Sequence, residues 1–274
     1  MTDREIKNKI KNIGDTVKIT RAMQMIATTK IYGNQQKKSG ARAYLDDVEN
    51  AARIAMNYLS PDHPLFTENT GRSAYVVIAG DKGLCGDYNS QVLSYADKMI
   101  AESEGVPKIF VIGYVGREYY KGKMCSLVGT YVHHQLNPSV INAVNMADDL
   151  VALFLKGNFK DLYLVFTEVN GMDTEVVSER LLPMEYRPEE QKELFLGEEH
   201  ADIFLNELLT AKLFYAVTSS ALAVNCKRMS AMRQATINGE ELQEELNIQY
   251  HRSRQDKITN ELNDAASSRL GEKR

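Results

Sequence analysis

Two long proline-free stretches bracket this chain. Residues 3–58 contain no proline, and none occurs after Pro188. In the first stretch Ile6, Ile10, Ile13 and Val17 step by four, three and four, a narrow stripe closer to a coiled-coil seam than to the broad face of a globular helix. The stripe is expected to widen through Ala22, Met23, Ile26 and Ala27. In the second stretch Leu209, Leu213, Ala216, Ser220 and Ala223 repeat the same steps, and Met229, Met232 and Ala235 follow. At 1.5 Å per residue, helices over 3–58 and roughly 200–268 would run ~80 Å and ~100 Å. A compact domain cannot surround either one. Two such helices bury their apolar faces most simply against each other, as a long antiparallel coiled coil of the N- and C-terminal helices. Gly14, Gly33 and Gly40 are interruptions of roughly 1 kcal/mol each, and Gly239 marks a possible irregularity. Ser60-Pro61-Asp62-His63-Pro64 ends the first helix, because proline lacks the donor and clashes with the preceding turn.

The middle of the chain changes period. Residues 74–79 (AYVVIA), 108–113 (KIFVIG) and 162–167 (LYLVFT) are short β-branched or aromatic runs, with helical stretches near 89–103 and 139–156. Strands alternating with helices imply a central Rossmann-like α/β domain with a mainly parallel sheet. Residues 173–182 (DTEVVSERLL) read as one more strand, and 183–200 as an acidic surface connection. The expected division is an N-terminal shaft helix over 1–60, an α/β foot domain over 70–185, and a C-terminal shaft helix over 200–270 that pairs with the first. From 243 to 257 the last helix has few apolar positions, before Ile258 and Leu262 resume the seam. A cylinder so polar needs a partner that accepts it. A coiled rod on an α/β body suggests mechanical coupling before catalysis.

Charge is unevenly spread. Residues 1–42 hold ten Lys or Arg against Asp3, Glu5 and Asp15, a net of +7, whereas residues 59–226 carry a net of −10. A basic rod suits a partner with a negative surface, either nucleic acid or an acidic protein socket. Nucleic-acid readers add aromatic platforms or a docking fold. The basic stretch offers only Tyr32 and Tyr44, so no nucleic acid is expected. Cys85, Cys125 and Cys226 are widely spaced, in no ligand pattern, so neither a disulfide framework nor a metal site is expected. No apolar run approaches the ~20 residues of a membrane span, and the start lacks the apolar region of a signal peptide. Thr2 with Glu5 reads instead as a capping box that starts the first helix.

The loop Gly80-Asp81-Lys82-Gly83-Leu84-Cys85-Gly86 follows the first central strand and precedes a helix, where a dinucleotide fold would place its phosphates. Its spacing fits neither GxGxxG nor GxxxxGK[ST], and a glycine-rich turn that lets backbone pack closely is the simpler reading. His133 and His134 are adjacent and point different ways. Cys85, near a helix start, has no histidine near it in sequence. No catalytic constellation emerges, and no cofactor is expected.

Three segments carry a resemblance. Residues 18–30 (KITRAMQMIATTK) are similar to KIT(K/R)AMxMVAxxK. Residues 81–90 (DKGLCGDYNS) resemble (D/S)(R/K)GLCGxxNS. Tyr250, Arg254-Gln255 and residues 258–262 (ITNEL) resemble Y(N/H)xxRQxxITxEL. These motifs, in this order and over essentially the whole chain, resemble the gamma subunit of F-type ATP synthase, the central rotor shaft. Leu181-Leu182-Pro183 and residues 229–236 also fit.

The resemblance implies a coiled shaft inside a hexamer of three alpha and three beta subunits. It places a Rossmann-like foot near the epsilon subunit and the ring of c subunits, at the cytoplasmic face of a bacterial plasma membrane. The nucleotide sites would belong to alpha and beta, so this subunit would be non-catalytic. Residue by residue, the resemblance puts Arg21, Met23 and Lys30 beside acidic lever loops of beta. It puts Arg254, Gln255, Thr259 and Glu261 in an upper contact zone with beta, and Gly83, Leu84 and Cys85 in the foot. Two departures stand out. Val224 replaces the family's acid before the Met-rich motif, and residues 268–271 (SRLG) replace a Gly-Ala ending. No paired cysteines or regulatory insert are visible, so no thiol switch is expected. The alternative is a stand-alone paralogue, a coiled-coil scaffold whose α/β domain binds a small ligand; a nucleotide-binding enzyme would need the phosphate loop that is missing.

Overall fold

A computed structural model describes residues 3–123, 125–171, 173–189 and 198–271, with backbone alone for 198–199 and 264–271. Thr2 of the expected capping box and residues 190–197 of the acidic connection lie outside the described residues. Helix α1 runs Asp3–Met56. It is followed by β1 (Ala74–Ile78), α2 (Tyr88–Ala101), β2 (Lys108–Ile112), α3 (Tyr114–Tyr120), β3 (Ser126–Tyr131), α4 (Val140–Leu155), β4 (Leu162–Asn170), β5 (Asp173–Leu182) and α5 (Glu198–Gly271). Helix α1 stops before Pro61, as proline demands. Gly239 does not interrupt α5. Helix α3 and strand β3 were not expected from the sequence. The chain forms two compact units, residues 27–228 and residues 1–26 with 229–274.

In the smaller unit the two helices lie antiparallel. Thr20 and Thr236 share a hydroxyl hydrogen bond of 2.7 Å. Gly239 stands opposite Val17, and Ser253 donates to Asp3 at 2.6 Å. Partners that rise along one helix and fall along the other define the direction. A Cβ on Gly239 would come within 2.6 Å of Val17 Cγ2, so this crossing is set by the missing side chain. Ile6, Val17, Met232 and Leu246 are buried in the seam, with Ile10 and Ile13 half-buried. The expected widening is corrected here: Ala22 and Ile26 face outward. Ile258 and Leu262 are also exposed.

The larger unit is a five-stranded sheet of order β3-β2-β1-β4-β5, parallel from β3 to β4, with β5 antiparallel at the edge. Strand β1 is buried at every position, as a parallel strand covered on both faces should be. Ala74, Val76 and Ile78 face a core with Phe110, Leu162 and Leu164 from the sheet, Ala52 and Met56 of α1, Leu150 and Phe154 of α4, and Leu209 and Leu213 of α5. Tyr75, Val77 and Ala79 face the opposite core, with Val92 and Ala96 of α2 and Tyr120 of α3. Each Val, Leu, Ile, Phe or Met among them contributes about 1.5–3 kcal/mol through burial. Strand β5 alternates in exposure and carries Asp173, Glu175, Glu179 and Arg180, charges that discourage pairing with another chain at this edge. Val224 lies in the second core. An acid there would have been costly to bury, so the apolar departure from the family pattern has a packing reason.

Candidate functional site

The glycine-rich loop between β1 and α2 is closed against phosphate by its own side chains. Asn89 Oδ1 accepts the Gly80 N–H at 2.8 Å, the donor an anion would have used. Asp87 precedes α2, where its carboxylate accepts from Gln91 at 2.6 Å and pairs with Lys227 at 3.0 Å. That carboxylate places negative charge where a phosphate would sit, which favours the helix dipole but repels a second anion. Cys85 is buried, and burial pushes its thiol above the ordinary range, with Arg228 pulling the other way. A thiol so held is a poor nucleophile. Leu84 is the reverse: it has φ +58° and is 63% exposed, a large apolar side chain held outward at the loop tip.

Asp81 ties the strand ends together. Its Oδ1 accepts the backbone N–H groups of Tyr114 at 3.1 Å and His133 at 2.9 Å. His133 is exposed, with Nδ1 3.6 Å from the same oxygen. Burial lowers the pKa of His134, and Asp81 partly offsets it. These side chains brace three loops, and among the described residues no group of three or more His, Cys, Asp and Glu is arranged to hold a metal.

The other expected contact residues are spread along the helices. In the smaller unit, Arg21 is exposed and pairs with Glu240, Met23 is half-buried, and Arg254, Gln255, Thr259 and Glu261 are exposed. The Thr259 hydroxyl donates to the Gln255 carbonyl at 2.9 Å, and Glu261 lies 3.9 Å from Lys257. In the larger unit Lys30 is exposed and makes no ion pair among the described residues. Sequence reasoning missed a polar cluster in that unit, where Lys38 of α1, Glu168 of β4 and Tyr215 of α5 converge. They are too far apart in the chain for any motif to join them.

Helix α5 includes an eighteen-residue window of mean hydropathy 1.2, long and apolar enough to cross a membrane, but 83% of that window is buried within the protein. Its apolar surface already has a partner.

The larger unit is a three-layer α/β fold, and the smaller is an antiparallel pair of terminal helices. A family model described as ATP synthase matches residues 2–269. Similar curated proteins are ATP synthase gamma chains. That of Salinibacter ruber is 33% identical, with 96% of each chain covered. That of Frankia casuarinae is 32% identical over 95% of this chain and 94% of its own. The chain belongs to the ATP synthase gamma chain family. Among solved structures, a chain of the rotor of the Euglena gracilis mitochondrial ATP synthase aligns with TM-score 0.70 at 16% identity, covering 94% of this chain and 99% of its own. A chain of the Tetrahymena thermophila mitochondrial ATP synthase central stalk and c-ring aligns with TM-score 0.63 at 18% identity, covering 79% and 99%. At these identities the likeness shows the fold alone. The stand-alone scaffold reading finds no support in these comparisons.

Proposed function

We propose that this chain is the central rotating stalk subunit of an ATP synthase, coupling ion flow through a membrane ring of c subunits to ATP synthesis or hydrolysis in a head of three alpha and three beta subunits. One observation carries the reading: the helical pair of the smaller unit leaves Ile19, Met25, Ile26, Ile248, Ile258 and Leu262 between 45% and 67% exposed. Apolar side chains in such number along paired helices mark an interaction surface. A sleeve of surrounding subunits meets them on every side, while exposed Arg21 and Lys30 attract acidic levers on beta. Met23 is a neutral, adaptable contact for the same levers. Exposed Arg254, Gln255, Thr259 and Glu261 supply the polar half of an upper contact zone.

The division of labour follows the three segments: shaft helices over 1–60 and 200–270, and a foot over 70–185 that meets epsilon and the c-ring. Gly83, Leu84 and Cys85 form the foot's contact loop, with Leu84 as the touching side chain and Cys85 as its buried anchor. The complex sits at a membrane, with this subunit on the cytoplasmic face and peripheral. Catalysis belongs to the head. The stalk acts as a cam, because a surface that contacts each beta subunit differently biases each toward a different state. Affinity purification of this chain from gently solubilised host membranes, with stoichiometry by mass spectrometry, tests the reading. Three alpha and three beta per copy, with ATPase activity, is the expected result. Recovery of the chain alone, or with unrelated proteins, would overturn it.

A further inference from the structure

Helices α1 and α5 are held to the sheet of the larger unit by apolar packing, by the Thr167 N–H of β4 donating to Ser220 Oγ of α5 at 3.2 Å, by the Lys212–Glu179 pair between α5 and β5, and by a polar junction that also includes α1. Lys38 Nζ lies 2.6 Å from Glu168 Oε1, and their side chains are 16% and 15% exposed. In no other ion pair among the described residues do both partners fall below 20%. Tyr215 donates its hydroxyl to the same oxygen at 2.7 Å, and the Val169 N–H reaches it at 3.3 Å. Lys38 also donates to the Val169 carbonyl. The Tyr215 ring packs edge-on against Phe166 of β4, with centroids 6.4 Å apart. Lys38 Nζ and Arg42 Cζ stand 5.7 Å and 5.6 Å from its centroid. One carboxylate oxygen therefore ties α1, β4 and α5 together.

We infer that Lys38, Glu168 and Tyr215 form a torque clamp, positioning residues that keep the two helices from slipping against the sheet when the chain is twisted under load. Apolar burial is non-directional, so it fixes the register of a helix on an apolar face less sharply than a hydrogen bond does. Hydrogen bonds to a single oxygen depend on distance and angle and are lost over a small displacement. A buried ion pair is weak evidence for stability, since apolar residues of similar volume often do as well or better. Fixing register is its best-attested use, and register is what a chain transmitting rotation requires. The clamp rests on the stalk reading and adds to it the residues through which torque passes from the sheet to the helices.

The test uses the complete ATP synthase containing this chain, reconstituted in sealed vesicles. A potential-sensitive dye records charge moved whichever ion is carried, and ATP hydrolysis is measured in parallel. The triple variant Lys38→Met, Glu168→Leu, Tyr215→Phe keeps volume and removes the junction. Expected is at least a threefold fall in potential generated per ATP hydrolysed, with the temperature of half-inactivation no lower than wild type. An unchanged ratio, whatever the inactivation temperature, would overturn the clamp, because a merely structural role moves stability and leaves coupling alone. If the triple variant does not assemble, Tyr215→Phe decides: it removes one bond to Oε1 and keeps the ring, so a partial loss of coupling is expected and an unchanged ratio overturns the clamp. A wild-type complex that hydrolyses ATP without building potential would sink the stalk reading and the clamp with it.

Discussion

Gly113→Ala should unfold the sheet far more easily than any loop change of its size. Gly113 follows β2 with φ +102° and ψ +142°, a backbone conformation that side chains rarely adopt. Forcing an L-residue into such a region costs about 1–3 kcal/mol. The added Cβ would lie 2.2 Å from the Ala79 oxygen, 2.8 Å from the Ala79 carbonyl carbon and 3.0 Å from the Gly80 carbonyl carbon. All three are backbone atoms, so no rotamer change relieves the clash. The ends of β1 and β2 must separate instead. That strains the Ala79 N–H to Ile112 bond of 2.9 Å and the Val115 N–H to Gly80 bond of 3.0 Å, each worth about 1 kcal/mol. Together these give a loss of about 3–5 kcal/mol, a large part of the ~5–15 kcal/mol that holds an ordinary domain together. Gly33→Ala is the control. It lies within α1 with nothing within 4 Å of a new Cβ, and should gain about 0.5–1 kcal/mol from helix propensity. Urea unfolding of the full chain, followed by tyrosine fluorescence, reads both, since the chain has fourteen Tyr and no Trp. A loss under about 1 kcal/mol for Gly113→Ala, or an equal loss for Gly33→Ala, would refute the reasoning.

Leu150→Ala, at a fully buried α4 position against the sheet, should cost about 2–5 kcal/mol; a cost near that of an exposed site would mean α4 is not packed as described. Burial lowers the folded pKa of His134, with Asp81 opposing. The unfolded chain therefore takes up the proton first, and stability should fall as pH drops below the ordinary imidazole value of ~6.5, levelling off below the folded value. The urea midpoint should drop between about pH 7.5 and about pH 5.5, and His134→Gln should flatten that drop; an unchanged slope in the variant would contradict the assignment. Burial raises the Cys85 thiol pKa, so iodoacetamide at about pH 8 should modify Cys85 at least ~10-fold more slowly in the folded chain than in urea. Cys85 reacting fastest of the three cysteines in the folded chain would count against its burial.

The long helices and three of the strands were legible because their signals are local. Proline placement bounded α1 to within two residues of Met56, and the apolar runs at 74, 108 and 162 begin where β1, β2 and β4 begin. Strand β5 was legible over residues 173–182 for the same reason. Strand β3 was hidden because Ser126, Gly129 and Thr130 dilute an edge strand only half-buried, and α3 because seven residues hold too few turns to show a period. The stripe near Ile26 misled, since apolar residues on a helix read as core until something shows that they face outward. At the loop, glycine spacing excluded a known phosphate motif, but the Asn89 acceptor on the Gly80 N–H and the Asp87 carboxylate before α2 arise only from the fold. The junction of Lys38, Glu168 and Tyr215 spans 177 residues of sequence and leaves no local mark.

Rotation itself is the most direct measurement. The complex of three alpha and three beta subunits with this chain would be fixed to a surface through beta. A bead would be attached through a cysteine introduced at exposed Leu84, in a chain whose own cysteines are replaced. With ATP the account predicts sustained rotation of the bead in one direction, at a rate that follows ATP hydrolysis. Steady hydrolysis beneath a bead that only fluctuates about one angle would contradict it.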